Sequence, residues 1–211
     1  MLSIECYQHL DFTSNTFVLG NTTSNNVYLV DVGVSDEIIK SLGSNQKIKG
    51  IFLTHAHYDH IYGINDIIEL FPDCTVYGSE YTLQGLYSDK MNLSFYHENP
   101  IVFLGKKIML ITEGMKIELY PNSYLKILET PGHNKGSLSF IVENGIFTGD
   151  SLIPGYPVVT KLKSGNKEDA AKSVLKIIEE TQPSDILYPG HGVSCNLSEI
   201  DLNFYIGHDR N

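Results

Sequence analysis

The chain has 211 residues, 42% of them hydrophobic, which is enough for one domain over residues 1–211 with a sizeable core. Its formal net charge of −10 and its few scattered basic residues argue against a nucleic-acid-binding surface. No apolar stretch approaches the roughly 18 residues of a membrane span, and the 3 cysteines suggest no disulfide framework. The amino terminus lacks the basic and apolar regions of a signal peptide, so we expect a cytoplasmic protein without a membrane or nucleic-acid partner.

The predicted elements alternate between short strands and helices along the chain. Apolar positions at helical spacing predict helices over 36–42, 64–71, 80–86 and 168–180, the last with Asn166 as its N-cap. Short apolar runs predict strands over 49–54, 125–128 and 186–188, and Asn144-Gly145 predicts a hairpin over 143–145 between strands 140–142 and 146–148. Four of these strands run into short loops that carry histidine or aspartate.

Seven side chains in these four loops have the types and the spacing of metal ligands. They are His55, His57, Asp59, His60, His133, Asp150 and His191. Imidazole nitrogen and carboxylate oxygen suit zinc, iron or manganese, and one tetrahedral ion cannot use all seven groups. The set therefore predicts two adjacent divalent ions, zinc being the first choice, with a carboxylate between them.

Four segments in this order resemble the motifs of the metallo-β-lactamase superfamily, and most of all its type II glyoxalase (hydroxyacylglutathione hydrolase) branch. They are Thr54-His-Ala-His-Tyr-Asp-His60, Thr130-Pro-Gly-His-Asn-Lys-Gly-Ser137, Phe147-Thr-Gly-Asp-Ser-Leu152 and Tyr188-Pro-Gly-His-Gly192. The resemblance implies an α+β fold, a four-layer αββα sandwich of two packed sheets flanked by helices.

The same resemblance implies a division of the ligands between two metals. It places His55, His57 and His133 at the first metal. It places Asp59, His60 and His191 at the second metal, with Asp150 as the bridge. It also implies hydrolysis by attack of a metal-bridging hydroxide.

The function that follows is a binuclear metal-dependent hydrolase of a small thioester or other activated acyl compound, so the expected partner is a small-molecule substrate. Asp59 is the candidate catalytic residue, since it is placed to orient the nucleophile or shuttle a proton. Only 20 residues follow His191, so we expect no C-terminal helical domain of the kind that holds glutathione in the true type II glyoxalases. Tyr156 and Lys161 are candidates to line a substrate pocket, with a plain loop role as the simpler alternative.

Three alternatives stay open at this point. A persulfide dioxygenase shares these motifs but binds one iron, which His55, His133 and Asp150 are able to hold. A lactonase is a nearer variant, and a non-catalytic metal-binding module is the third. Asp150 stands where some β-lactamases of the superfamily carry a cysteine, which argues against β-lactamase activity. The oligomeric state is not predicted, and His9, His97 and His208 are interpreted as ordinary surface or packing histidines.

Overall fold

The computed structural model of the chain describes residues 2–206, so His208 lies outside the described residues. The chain divides into two compact units, Met1–Ile111 and Thr112–Asn211, and each unit contains one six-stranded mixed sheet. Within the described range, no helix has both the length and the apolar character needed to cross a membrane. The single-domain organisation over residues 1–211 stays a prediction.

The strands of the first unit stand in the sheet in chain order. They are β1 (Leu2–Gln8), β2 (Asn15–Asn21), β3 (Ser24–Val30), β4 (Lys47–Phe52), β5 (Thr75–Gly78) and β6 (Ile108–Leu110). The pairs β1–β2 and β2–β3 are antiparallel, whereas β3–β4, β4–β5 and β5–β6 are parallel. Parallel neighbours require crossover connections, and these contain the helices α1 (Asp36–Ser41), α2 (Tyr58–Ile61), α3 (Ile64–Leu70) and α4 (Glu80–Gly85).

Strand β4 lies at the centre of the apolar core of the first unit. Ile51 and Phe52 of the strand and Leu53 just after it are fully buried, as expected where a parallel strand is covered on both faces. This burial explains why the sequence shows a continuous apolar run here instead of an alternating one. The strand predicted over 49–54 begins two residues earlier, at Lys47, and ends at Phe52, so the first ligand of the motif, His55, follows it after two residues.

The second unit contains a largely antiparallel sheet. Its strands are β7 (Lys116–Tyr120), β8 (Ser123–Glu129), β9 (Leu138–Val142), β10 (Gly145–Gly149), β11 (Ile186–Pro189) and β12 (Cys195–Asn196), and they stand in the order β12-β11-β10-β9-β8-β7. Only the β10–β11 pair among these is parallel. Its crossover contains helix α5 (Lys167–Glu179), and helix α6 (Leu202–Ile206) follows β12.

Two local predictions for the second unit can be checked directly. The Asn166 side chain accepts hydrogen bonds from the backbone N–H groups of Glu168 and Asp169, at 2.9 and 3.1 Å, which confirms it as the N-cap of α5. The hairpin is also present, but its loop has two residues instead of three, because Val142 pairs with Gly145. Glu143 takes the left-handed conformation there, with φ 52°.

Strand direction brings the ends of several strands to one edge within each sheet. In the first unit β3 and β4 are parallel, so the residues that follow Val30 and Phe52 lie at the same edge. In the second unit β8 and β10 are both antiparallel to β9, and β11 is parallel to β10. The three loops after β8, β10 and β11 therefore start at one edge, and they carry the ligand candidates of this unit.

Candidate metal centre

The motif of the first unit folds into a compact group of buried imidazoles. His55 and His57 follow β4, and their ring centroids lie 4.5 Å apart. Asp59 and His60 lie on the one-turn helix α2, and not in a short loop as predicted from the sequence. The helix brings the ring of His60 to 4.2 Å from that of His55. The ligand atoms of His55 lie within 4.8 Å of those of both other histidines.

A buried carboxylate, Asp31, anchors this group from the end of β3. It is 2% exposed and takes a left-handed backbone conformation, with φ 57°. Its side chain accepts hydrogen bonds from the Thr54 backbone N–H at 2.8 Å and the Thr54 hydroxyl at 2.7 Å, and lies 2.8 Å from Nδ1 of His60. Three hydrogen bonds offset the desolvation of a buried charge, which is otherwise costly.

These contacts determine which nitrogen of each ring carries the proton. A carboxylate only accepts, so Nδ1 of His60 donates to Asp31 and leaves the lone pair on Nε2. The single proton of the Thr54 hydroxyl is used on Asp31, so Nδ1 of His55 donates to that hydroxyl, 3.1 Å away. Both rings therefore present Nε2 as the metal-binding atom, the arrangement that an outer carboxylate commonly imposes on ligating histidines.

Asp59 is the part of this group that is most open to solvent. Its side chain is 25% exposed, whereas that of His60 is fully buried, and Oδ2 of Asp59 lies 3.6 Å from Nε2 of His60. The backbone carbonyl of Asp59 accepts a 2.7 Å hydrogen bond from the Ser14 hydroxyl, which fixes the start of α2. The first unit thus brings together four of the seven predicted ligands.

The second unit brings together the other three. Asp150 follows β10, and its two carboxylate oxygens face different histidines. Oδ2 lies 3.4 Å from Nε2 of His133, and Oδ1 lies 3.6 Å from Nε2 of His191. A hydrogen bond of 2.8 Å from the Gly190 backbone N–H to the Gly149 carbonyl holds the two loops side by side.

These distances fit metal ligation better than ordinary hydrogen bonding. N–H···O bonds cluster at about 2.7–3.2 Å, shorter than the 3.4–3.6 Å seen for the pairs formed by Asp59 and Asp150. Two ligand atoms that are each about 2.0–2.1 Å from one tetrahedral ion stand roughly 3.3 Å apart. The imidazole and carboxylate groups are therefore of the right type and at the right separation to hold divalent ions.

His133 is oriented by a backbone carbonyl. Its Nδ1 lies 2.9 Å from the carbonyl oxygen of Val159, which only accepts, so this ring also presents Nε2. The preceding Gly132 has φ 139°, and a Cβ atom there would lie 2.3 Å from Cα of Ala170 on α5. The loop therefore needs glycine at this position to pack against the helix while carrying His133.

The other predicted side chains lie outside these two groups. Tyr156 is 66% exposed and Lys161 is exposed, both on the segment after Asp150. His9 stacks on Phe12 with a centroid distance of 4.4 Å, and His97 stacks on Tyr58 at 4.0 Å. Both histidines therefore take part in aromatic packing within the first unit.

Three supporting groups were not identified from the sequence. The first is Asp31, which stands as a lone acid in the apolar run Val30-Asp31-Val32. The second is the Thr54 hydroxyl, and the third is the backbone carbonyl of Val159. A polar side chain at the end of a buried strand is a usable signal, whereas a backbone carbonyl leaves none.

Comparison with known proteins identifies the family. Residues 10–191 match the metallo-β-lactamase superfamily, so the chain belongs to it. The chain is 31% identical to a probable metallo-hydrolase of Streptococcus pyogenes serotype M6, over 87% of this chain and 81% of that protein. It is 34% identical to a hydroxyacylglutathione hydrolase of Buchnera aphidicola, over 60% of this chain but only 43% of that protein.

Solved structures show the same fold. The BLEG-1 B3 metallo-β-lactamase superimposes with a TM-score of 0.84 at 24% identity, covering 93% of this chain and 95% of that one. TTHA1623, solved in a di-iron-bound form, superimposes with a TM-score of 0.76 at 23% identity, covering 95% and 96%. The predicted α+β fold class of the metallo-β-lactamase type is confirmed.

The family match and the relatives also confirm the predicted class of protein, a metal-dependent hydrolase of this superfamily. The cluster of histidines that such an enzyme needs is present in the first unit. The chain spans less than two thirds of the length of the hydroxyacylglutathione hydrolases that it matches, 43%, 59% and 63% of three of them. Its own reaction and substrate are therefore matters for proposal.

Proposed function

We propose that the seven donors hold two divalent ions together and that the chain hydrolyses a small thioester or other activated acyl compound. The observation that carries the proposal is the carboxylate of Asp150, whose two oxygens face the Nε2 atoms of His133 and His191 at 3.4 and 3.6 Å. A carboxylate that serves one metal through each oxygen is the usual bridge of a binuclear site. His55, His57 and His133 would hold the first ion, Asp59, His60 and His191 would hold the second, and Asp150 would serve both.

The ions proposed are zinc, with iron or manganese as substitutes that the same nitrogen and oxygen donors accept. The neighbour TTHA1623 was solved with two irons, which supports a two-metal site for this fold. A pair of bound divalent ions lowers the pKa of coordinated water to about 7 and polarises the carbonyl of an acyl substrate.

The residues of the chain do the remaining work. Asp31 and Thr54 hold His55 and His60 in the tautomer that ligates, and the Val159 carbonyl does the same for His133. Such preset ligands reduce the reorganisation needed when the ions bind. Asp59 is the carboxylate of the first unit with solvent access at the site, so it is placed to pass a proton between the reaction and bulk water.

The substrate class is supported by chemistry and by relatives. Several relatives are named hydroxyacylglutathione hydrolases, whose name describes cleavage of an acyl thioester. The net charge of −10 does not favour a polyanionic substrate such as nucleic acid. Asp150 stands where some β-lactamases of the superfamily carry a cysteine, which does not favour a β-lactam substrate. A small acyl compound without extended negative charge fits these features best.

The test is hydrolysis by zinc-loaded protein of a panel of hydroxyacyl thioesters, with acyl-homoserine lactones and β-lactams as parallel arms. The matched variants are Asp150→Asn, which leaves only one carbonyl oxygen, and His9→Gln, which changes a histidine that packs on Phe12. We expect thioester turnover that falls by at least 100-fold in Asp150→Asn and is unchanged in His9→Gln.

Three outcomes would contradict the proposal. Turnover of a lactone alone would replace the substrate class with a lactonase. Thioester turnover that survives in Asp150→Asn would remove the bridging carboxylate from the mechanism. Oxygen uptake with glutathione persulfide by a protein that holds one iron would replace the hydrolase with a dioxygenase.

A further inference from the structure

The segment that follows Asp150 links this proposed ligand to a second one, His133, through a backbone hydrogen bond. It begins after the carboxylate and runs to Val159, whose carbonyl oxygen is 2.9 Å from Nδ1 of His133. Between these points it forms no helix or long strand, only an isolated bridge between Ile153 and Tyr156. The position of the Val159 carbonyl therefore depends on whatever anchors this segment along its length.

One phenol from the C-terminal helix provides such an anchor. The hydroxyl of Tyr205 on α6 donates to the Ile153 carbonyl at 2.7 Å and accepts from the Gly155 backbone N–H at 2.9 Å. Gly155 has φ 76°, so the chain turns sharply at this point. Burial raises the pKa of the Tyr205 hydroxyl, which keeps it protonated and able to donate at neutral pH.

The two hydrogen bonds leave the phenol fully engaged on the segment. The proton and a lone pair of one oxygen are both used on backbone groups two residues apart, which reinforces a turn closed by the 3.2 Å hydrogen bond from the Tyr156 N–H to the Ile153 carbonyl. This turn fixes the start of the chain segment that runs to Val159. The segment includes Tyr156, whose side chain is exposed.

We propose that Tyr205 is a positioning residue, whose hydroxyl fixes the segment 153–159 so that the Val159 carbonyl holds His133 in its metal-binding tautomer. The inference rests on the proposed function, because Tyr205 has this role only if His133 binds a metal ion. It makes the C-terminal helix part of the support of the site, although it contributes no ligand.

The anchor is tested first without any metal. In the Tyr205→Phe variant the ring stays and the hydroxyl is lost, so we expect the Gly155 amide to exchange with deuterium roughly fivefold faster or more by NMR. Lys161 and Lys163 lie exposed further along the same segment, so cleavage by trypsin after them should accelerate by a similar factor. Tyr124→Phe removes the hydroxyl of a tyrosine on β8 that is 47% exposed, and it serves as the matched control, with both rates unchanged.

The link to the ligand is tested with cobalt, whose absorption spectrum reports its ligands. We expect Tyr205→Phe to weaken cobalt affinity by roughly five- to tenfold, while the melting temperature of the metal-free protein falls by no more than about 4 °C through the two lost hydrogen bonds. We expect the thioester kcat/KM to fall by a similar factor, mainly through kcat, because the metal ligand and not substrate binding is disturbed. Exchange, proteolysis and cobalt affinity within twofold of the native values would overturn the inference.

The outcomes separate this inference from the proposed function. Native protein that binds no cobalt contradicts the proposed function, and the anchor is then decided by exchange and proteolysis alone. Native protein that binds cobalt, with a variant that behaves identically, contradicts only the role of Tyr205. If Tyr205→Phe does not fold, the Gly155 amide of the native protein decides, since exchange at the rate of an unstructured amide would refute the hydrogen bond.

Discussion

Oδ2 of Asp31 and Nδ1 of His60 lie 2.8 Å apart, and both side chains are almost completely buried. Through this contact and the hydroxyl of Thr54, one carboxylate at the end of β3 sets the tautomers of two imidazoles that belong to a different loop. The metal-binding capacity of the motif therefore depends on a residue outside it.

Replacement of Asp31 by asparagine should weaken metal binding without removing a ligand. A single amide oxygen cannot accept all three hydrogen bonds, so the orientation of His60 is lost, and we expect affinity to fall by roughly 10- to 100-fold. Competition against a chelator with a known zinc affinity measures this. Asp36→Asn is the control, since its side chain is 78% exposed in the same unit. Equal affinity in both variants would show that Asp31 has no part in presenting the ligands.

Replacement of Asp59 by asparagine separates ligation from proton transfer. The amide cannot carry a proton to solvent, so we expect kcat to fall far more than substrate affinity at full metal loading. Steady-state kinetics and metal analysis on the same sample are needed. If metal content falls in proportion to turnover, Asp59 is a ligand only.

Replacement of Gly132 by alanine should destabilise the fold around His133. A Cβ atom would lie 2.3 Å from Cα of Ala170, and the φ of 139° is unfavourable for any side chain. We expect a loss of roughly 2–4 kcal/mol in the free energy of unfolding, measured with urea. Gly114→Ala is the matched control, because Gly114 has φ 75° but a Cβ there has no atom within 4 Å. Backbone strain alone should cost roughly 1–2 kcal/mol, and equal losses in the two variants would exclude the steric contact.

The buried thiol of Cys74 predicts a loss of stability in alkali. Burial raises its pKa from 9.0 to about 12, so below pH 9 the thiol is protonated in both the folded and the unfolded chain. As the pH rises from 9 towards 12 only the unfolded chain ionises, which favours unfolding. Between pH 8 and 10 the native protein should lose about 1 kcal/mol more than Cys74→Ala. An identical loss in both would mean that Cys74 does not titrate on unfolding.

The sequence predicted the positions of the ligand candidates because they are local features. His55 and His57 follow an apolar run, and Asp150 follows a hairpin marked by Asn144-Gly145, so each pattern is contained within a few residues. The same holds for the cap of α5, where Asn166 and the backbone N–H groups that donate to it are two and three residues apart. Such features depend little on the rest of the chain.

The supporting contacts were not predicted because they join residues that are far apart in the chain. Asp31 meets Thr54 only because β3 and β4 pair in parallel, with a backbone hydrogen bond of 3.0 Å from Asp31 to Phe52. Tyr205 meets Ile153 across 52 residues. Sequence spacing does not encode these pairings, and the helical conformation of Asp59 and His60 likewise depends on the contacts of α2 with neighbouring backbone.

We propose that the chain holds two metal ions, and metal content per chain by plasma mass spectrometry tests this most directly. Protein purified without added metal is measured before and after titration with zinc, alongside Asp150→Asn. We predict close to two divalent ions per native chain and a loss of at least one of them in the variant. A single iron per chain with no further uptake of zinc, or no metal uptake at all, would contradict this prediction.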